Sequence, residues 1–403
     1  MMGNRRVGTH KIVWLFALAY MISYMTRVNY GAVISEMVID TGFSRSLLAA
    51  ALTGSFVTYG LGQVVSGICG DRFSPKKLVL CGLAVTSAMN AMIPFCPDPY
   101  SMLAVWSING FAQAFLWPPM VRLMTALMTS EEYGKAVVRV SWGSSIGTVL
   151  VYLLSPAMIA IGSWRGVFLA ASVFGMVMAL VWSKCCPDVA VKRRNKALLV
   201  TGEGGFLPPM LLGIMVAIVL QGMLRDGVMT WMPSYISETY GLSSEVGILT
   251  GVVLPLFSIL CFQAASMLYR KWFKNALLCA GVIFGFGAAS ALALSLFSDA
   301  GTILSAALAA MLTGSMHGVN LILISMVPPF FGRYGAVATV SGVLNACTYV
   351  GSAVSAYGIA VLSEHAGWGT TLWLWFAIAV TGTAVCLLCV RAWSRKFPTE
   401  SNT

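Results

Sequence analysis

Apolar residues run in blocks of twenty or more along this chain, separated by short polar breaks. The blocks fall near 12–35, 46–69, 77–96, 100–122, 134–160, 164–184, 208–233, 244–268, 274–297, 300–328, 334–362 and 367–391. Each is long enough to cross a hydrocarbon core, which needs about 20 residues of helix. The pattern predicts an all-α membrane protein with twelve transmembrane helices. The longest polar break, 185–207, divides it into an N-terminal six-helix bundle (1–184) and a C-terminal one (208–403), joined by a flexible cytoplasmic linker.

The two halves echo each other in direct order. Arg27 lies deep in the first block and precedes Gly42 in "TGFS"; Arg225 lies deep in the seventh and precedes Gly241 in "YGLS". "GSWRGVF" (162–168) before the sixth block answers "AGWGTTLW" (366–373) before the twelfth. Basic clusters follow the second block (72–77) and the eighth (270–274). A parallel repeat of this kind predicts two pseudo-symmetric bundles with a substrate site at their interface.

Composition agrees. The 403 residues are 58% apolar and only 10% charged, against about 25% charged in soluble domains. Of the 25 Lys and Arg, all but Arg27, Arg225, Arg45 and Arg165 fall on one side if both termini are cytoplasmic. That asymmetry is the positive-inside rule. The opposite loops carry Glu36, Asp40, Asp98, Glu238, Glu245, Asp299 and Glu364. The net charge of +11 is therefore a cytoplasmic surface facing anionic lipid headgroups. It predicts no nucleic-acid partner, because no basic, aromatic-interleaved soluble segment exists. The ten Cys lack metal-ligand spacing and read as small core hydrophobes. No metal or cofactor is expected. No nucleophile–base pair or phosphate-cradling glycine loop stands out, so an enzyme is not expected either. The first eleven residues are too short for a cleaved signal peptide.

An intramembrane arginine costs about 2.5–3.5 kcal/mol on insertion scales and marks a functional site by default. Two of them at matching places predict one site for an anion. Polar residues at helical spacing extend it: Tyr24 and Tyr30 beside Arg27, Gln113 and Trp117 in the fourth block, Ser144 and Ser145 in the fifth, His317 and Asn320 in the tenth, Asn345 and Tyr349 in the eleventh. Each also has a packing explanation, since hydroxyls bond their own helix and amides bond between helices. Asp226 reads either as a neutraliser of Arg225 or as a proton-coupling carboxylate. His317 reads as a packing residue or as a group that titrates with substrate. "GICGDRFSPKK" (67–77) reads by itself as a cytoplasmic loop of topology-setting charge; its resemblance to the major-facilitator signature at Gly67, Asp71, Arg72, Lys76 and Lys77 implies a conformational element, Asp71 pairing with basic groups or helix ends in one state.

That loop resembles the signature of the major facilitators, with Ser74 in place of the usual glycine. "YMTRVNYGAV…GFSRS", "LWPPMVRLM", "MLRDGVMTWMPSYISE" and "MHGVNLILISMVPPFFGRYGAVATVSGVLNACTYVGSAVSA" are similar to the organophosphate:phosphate antiporter family of that superfamily, over essentially the whole chain. The resemblance implies the major facilitator fold, no cofactor, and a phosphoryl group bound by Arg27 and Arg225. Two departures stand out. The family's glycerol-phosphate carriers have a histidine in the fifth helix where this chain has Ser144 or Ser145, and Asp226 occupies a position usually uncharged.

The expected function is secondary active transport of a small organic anion, an organophosphate exchanged for inorganic phosphate by alternating access. The alternatives are a proton-coupled symporter of an organic carboxylate or sulfonate and a transporter-like sugar-phosphate sensor, since the family includes a receptor of that kind. The expected setting is a bacterial inner (plasma) membrane, as a multi-pass monomer with both termini cytoplasmic.

Overall fold

The computed structural model describes residues 6–43, 45–161, 163–189, 209–241, 244–298 and 301–397. Arg5, Lys192, Arg193, Arg194, Lys196, Asp299, Gly162 and most of the expected linker lie outside these residues, as do the side chains of Arg6, Arg45, Glu245, Arg333 and Glu364. The described chain is helical and contains no strand: α1 (Arg6–Thr41), α2 (Arg45–Arg72), α3 (Pro75–Met92), α4 (Pro99–Gln113), α5 (Trp117–Leu127), α6 (Ser130–Ile161), α7 (Trp164–Cys185), α8 (Pro209–Tyr240), α9 (Ser244–Lys271), α10 (Ala276–Leu296), α11 (Thr302–Asn320) and α12 (Val337–Lys396).

Twelve helices agree in number with twelve expected spans only because one break and one fusion cancel. The fourth expected span is two helices, α4 and α5. Pro118 and Pro119 lack the N–H groups that would bond the carbonyls of Ala114 and Phe115, so the α-ladder stops there. The chain crosses the gap with tighter bonds, Phe115 N–H to Ala112 O (3.0 Å) and Leu116 N–H to Gln113 O (3.2 Å). The eleventh and twelfth spans run together as α12, divided only at Gly367 (φ 75°, ψ 172°). After α11 the helix widens into a π segment, Leu321–Met326. Nine stretches among the described residues are by themselves long and apolar enough to cross a membrane. The fourth span is missing from them because its two pieces are each short. The second and eighth expected spans are not among them either.

Helix ends follow local chemistry. Asp98 caps α4 through the N–H groups of Tyr100 (2.8 Å) and Ser101 (2.9 Å), and Asn275 caps α10 through Leu277 and Leu278. The repeat is visible at the ends of α1 and α8. Gly42 (φ 71°) and Gly241 (φ 62°) follow their last residues in left-handed backbone, the helix-stopping conformation that glycine adopts without penalty. Just inside each stop lies a carboxylate clasped by the tryptophan that opens the last span of the same half. Trp164 Nε1–H donates to Asp40 (2.9 Å), and Trp368 Nε1–H donates to Glu238 (2.7 Å).

Arg165 adds an ion pair to Asp40 (2.6 Å). The Trp164 and Arg165 donors together hold the Asp40 carboxyl below the usual carboxylate range. A depressed carboxylate contributes stability that is present above its unfolded pKa of about 3.9 and lost as pH falls through the folded value. Thermal stability should therefore fall below about pH 4 more in the native protein than in Asp40→Asn. Parallel pH profiles would remove Asp40 from this role.

The chain forms two compact units, Met1–Asn195 with Phe331–Ala346, and Lys196–Phe330 with Cys347–Thr403. The start of α12 thus belongs to the first unit, inside a stretch that the sequence assigns to the second bundle. Its attachment is short-range. Gln63 accepts from Asn345 Nδ2 (3.0 Å), and a Cβ on Gly67 would lie 2.6 Å from the Ala338 carbonyl oxygen.

Candidate functional site

In the first unit the turn of α1 before Arg27 is tied down by a buried amide network. Gln113 Nε2 donates to the Thr26 hydroxyl (2.9 Å) and to the Ser23 carbonyl (3.1 Å). Asn109 and Asn90 both donate to the Thr26 carbonyl, at 3.2 and 3.0 Å, and Asn29 donates to Asn90 (2.8 Å). These bonds fix the backbone that carries Arg27 against α3 and α4. The guanidinium itself lies over two rings, 4.1 Å from the centroid of Tyr24 and 5.0 Å from that of Tyr59. Tyr20 packs edge-on to Tyr24 (5.1 Å) and against Trp117 (4.8 Å). The Arg27 guanidinium thus rests over ring faces, which favour a cation.

Several expected site residues are engaged in packing. Tyr30 is fully buried, donates to the Leu48 carbonyl (3.2 Å) and stacks with Trp106 and Phe168. Gln113 is 2% exposed, within the network above. Ser144 donates to the Ser141 carbonyl (2.7 Å) and Ser145 is buried. Asn345 belongs with the first unit through Gln63. Tyr59 and Gln63 were absent from the expected set. Their signal was available, since Tyr59, Gln63 and Ser66 recur at helical spacing on α2.

In the second unit Arg225 is answered by its own neighbour. Arg225 Nε–H donates to Asp226 Oδ1 (2.6 Å) and its NH2 donates to Asp226 Oδ2 (2.8 Å). Successive helical residues point about 100° apart, so both side chains bend to meet. Ser352 of α12 donates to the same Asp226 oxygen. Arg225 and Asp226 keep 16% and 30% of their side-chain surface exposed. The α8 backbone is held as α1 is: Gln221, four residues before Arg225, donates to the Met316 carbonyl (3.1 Å), and Asn320 donates to Gln221 (3.5 Å). His317 lies within electrostatic reach of Arg225 and Asp226. Its Nδ1 sits 2.9 Å from the Thr313 carbonyl. A carbonyl only accepts, so Nδ1 carries a proton, and in the neutral imidazole Nε2 is the acceptor nitrogen. Tyr349 is partly buried on α12.

The loop after α2 also finds its partner inside the first unit. Asp71 accepts from the first-turn N–H groups of α12, Ala338 (3.0 Å) and Thr339 (2.7 Å), with Arg122 at 3.8 Å. Burial raises its carboxyl above the ordinary range, and those N–H groups oppose the shift. A carboxylate at a helix N-terminus contributes about 0.3–2 kcal/mol. Asp71→Asn should therefore cut flux several-fold while insertion and folding persist, read as transport per inserted molecule. An unchanged rate would reduce the loop to topology-setting charge.

Residues 16–356 match the model of the Major Facilitator Superfamily. The chain belongs to the major facilitator superfamily. The solved proton:xylose symporter XylE, bound to 6-bromo-6-deoxy-D-glucose, superposes on this facilitator with a TM-score of 0.77 at 13% identity, over 96% of this chain and 97% of that one. This shows the shared fold alone. The membrane sensor protein UhpC of Salmonella typhimurium is 23% identical over 404 residues, 93% of this chain and 89% of that protein. The glycerol-3-phosphate transporter of Bacillus subtilis is 22% identical over 383 residues, 88% of this chain and 86% of its own length. A probable hexose phosphate transport protein of Chlamydia trachomatis is 26% identical over 171 residues, so that this chain spans only 38% of its length. The facilitator is thus an integral multi-pass membrane protein of a transport family, not an enzyme.

Proposed function

We propose that this facilitator carries a phosphate-bearing organic anion and exchanges it for inorganic phosphate by alternating access. The observation that supports this most is the pair of arginines. The first helix of each half carries one inside an apolar span, partly exposed, on a backbone fixed by buried amides. Guanidinium is a planar fork of donors that matches phosphate bidentately and keeps its charge when buried. Relatives named for glycerol-3-phosphate and hexose phosphate point the same way. In this reading Arg27 and Arg225 bind the anion, with Tyr24, Trp117, His317, Asn320 and Tyr349 beside them. Tyr30, Gln113, Ser144, Ser145 and Asn345 position those residues. The setting is a bacterial inner membrane, with both termini and the basic loops on the cytoplasmic side against anionic lipid, and the protein acts as a monomer.

A second reading is favoured by Asp226: a carboxylate paired to the binding arginine is suited to carrying a proton in symport of an organic carboxylate or sulfonate. Counterflow of labelled phosphate in proteoliposomes decides between them, run against a panel of phosphorylated and carboxylated metabolites. Exchange predicts uptake that internal phosphate strongly accelerates. Uptake driven by a pH gradient into phosphate-free vesicles would replace it with symport. Binding without flux would indicate a sensor.

A further inference from the structure

We infer that Asp226 is a built-in counter-ion, holding the fork of Arg225 between transport events, and that an incoming oxyanion binds Arg225 by displacing it. This rests on the reading that Arg225 contacts the substrate anion. The geometry is that of a substrate mimic. Two carboxylate oxygens take the Nε and NH2 donors of one guanidinium edge, at 2.6 and 2.8 Å, the arrangement a phosphoryl or carboxylate ligand would use. The pair is open enough to be reached, with 30% of the Asp226 side chain exposed.

Ser352 provides for both states. Its single hydroxyl proton has two acceptors in reach, the Asp226 carboxylate and, at 2.9 Å, the carbonyl of Thr348 one turn back in its own helix. When the carboxylate swings away, Ser352 retains a partner, so no donor is stranded in the apolar interior. The first unit has a different arrangement, since Arg27 rests on the rings of Tyr24 and Tyr59.

Two consequences follow. Substrate affinity is lowered, because each binding event exchanges one bidentate partner for another. The unloaded second unit also keeps its guanidinium neutralised, which relieves the penalty on an empty carrier and admits net flux alongside exchange.

The test compares the full-length protein with Asp226→Asn in proteoliposomes. Arginine-selective labelling by phenylglyoxal, without added anion and read by peptide mass spectrometry, reports fork occupancy whatever the substrate is. Labelling of Arg225 should rise about tenfold in Asp226→Asn, the scale of a lost hydrogen bond to a charged group, with Arg27 labelling as the unchanged internal reference. Inorganic phosphate should then bind about tenfold more tightly, and net efflux into phosphate-free medium should fall relative to exchange. Ser352→Ala, which keeps Asp226, should shift labelling in the same direction by less, and it serves if Asp226→Asn does not fold. Unchanged labelling of Arg225 with normal phosphate exchange overturns the counter-ion and leaves the transport reading intact. Increased labelling with unaltered phosphate affinity overturns displacement. Increased labelling in a protein that binds neither phosphate nor any phosphorylated compound keeps the counter-ion and removes the organophosphate reading.

Discussion

Arg27→Lys and Arg225→Lys should each lower phosphate exchange by roughly 10- to 100-fold, because a hydrogen bond to a charged group contributes about 1.5–3 kcal/mol and each 1.4 kcal/mol is tenfold. Lysine keeps the charge, so the insertion penalty is retained and the protein should reach the membrane in normal amount. What it loses is the fork. An ammonium lacks the parallel, coplanar N–H pair of the guanidinium fork, and at position 27 it also loses the flat stacking over Tyr24 and Tyr59. Labelled-phosphate counterflow normalised to inserted protein measures the effect. Native rates in either variant would remove that arginine from the substrate.

Gly147→Val should damage both stability and transport. A Cβ at Gly147 would strike the Met21 carbonyl oxygen of α1 and lie 3.1 Å from the Tyr24 Cβ. One turn earlier, a Cβ at Gly143 would lie 2.5 Å from the Ala17 carbonyl oxygen. These obstacles are mainly backbone, so α1 itself would have to move, in the manner of a small-xxx-small crossing. Overpacking costs about 1–3 kcal/mol. The displaced stretch, Ala17 to Tyr24, leads directly to Arg27, so exchange should fall by more than the melting temperature alone implies. The second unit repeats the device, with Gly222 against the Thr348 carbonyl and Gly351 against that of Val219. Gly285→Ala is the control, because a Cβ there meets nothing within 4 Å. If Gly147→Val melts and transports like Gly285→Ala, the crossing is looser than described.

Much of this architecture was legible in the chain because the membrane imposes coarse rules. Apolar length and basic-loop asymmetry are long-range sums, insensitive to any single residue. The repeat was legible at Gly42 and Gly241 because a helix stop requires a particular backbone. Local geometry was less so. Pro118 and Pro119 are plain in the sequence, yet the apolar run around them masks the break between α4 and α5. The Arg225–Asp226 pairing was one of two readings of Asp226 in the sequence, left open because helical neighbours diverge and only two bending side chains bring them together. The stripes showed which faces are polar but not how each polar group is used. Hydroxyls and amides serve packing and binding with the same chemistry, and Ser144 and Gln113 prove to be bonded to backbone.

The twin tryptophan clasps bear on how the protein is made. Asp40 and Trp164 are 124 residues apart, and Glu238 and Trp368 are 130. Synthesis proceeds from the N-terminus at about 5–20 residues per second. The opening helix of each half therefore waits many seconds in the bilayer before the partner that fastens it emerges. The first clasp closes before α8 exists. The Asp71 cap cannot follow until α12 begins, after most of the second unit has been made. Biogenesis thus has a built-in order, in which the first six spans are latched early but capped late, shortly before the second clasp can close.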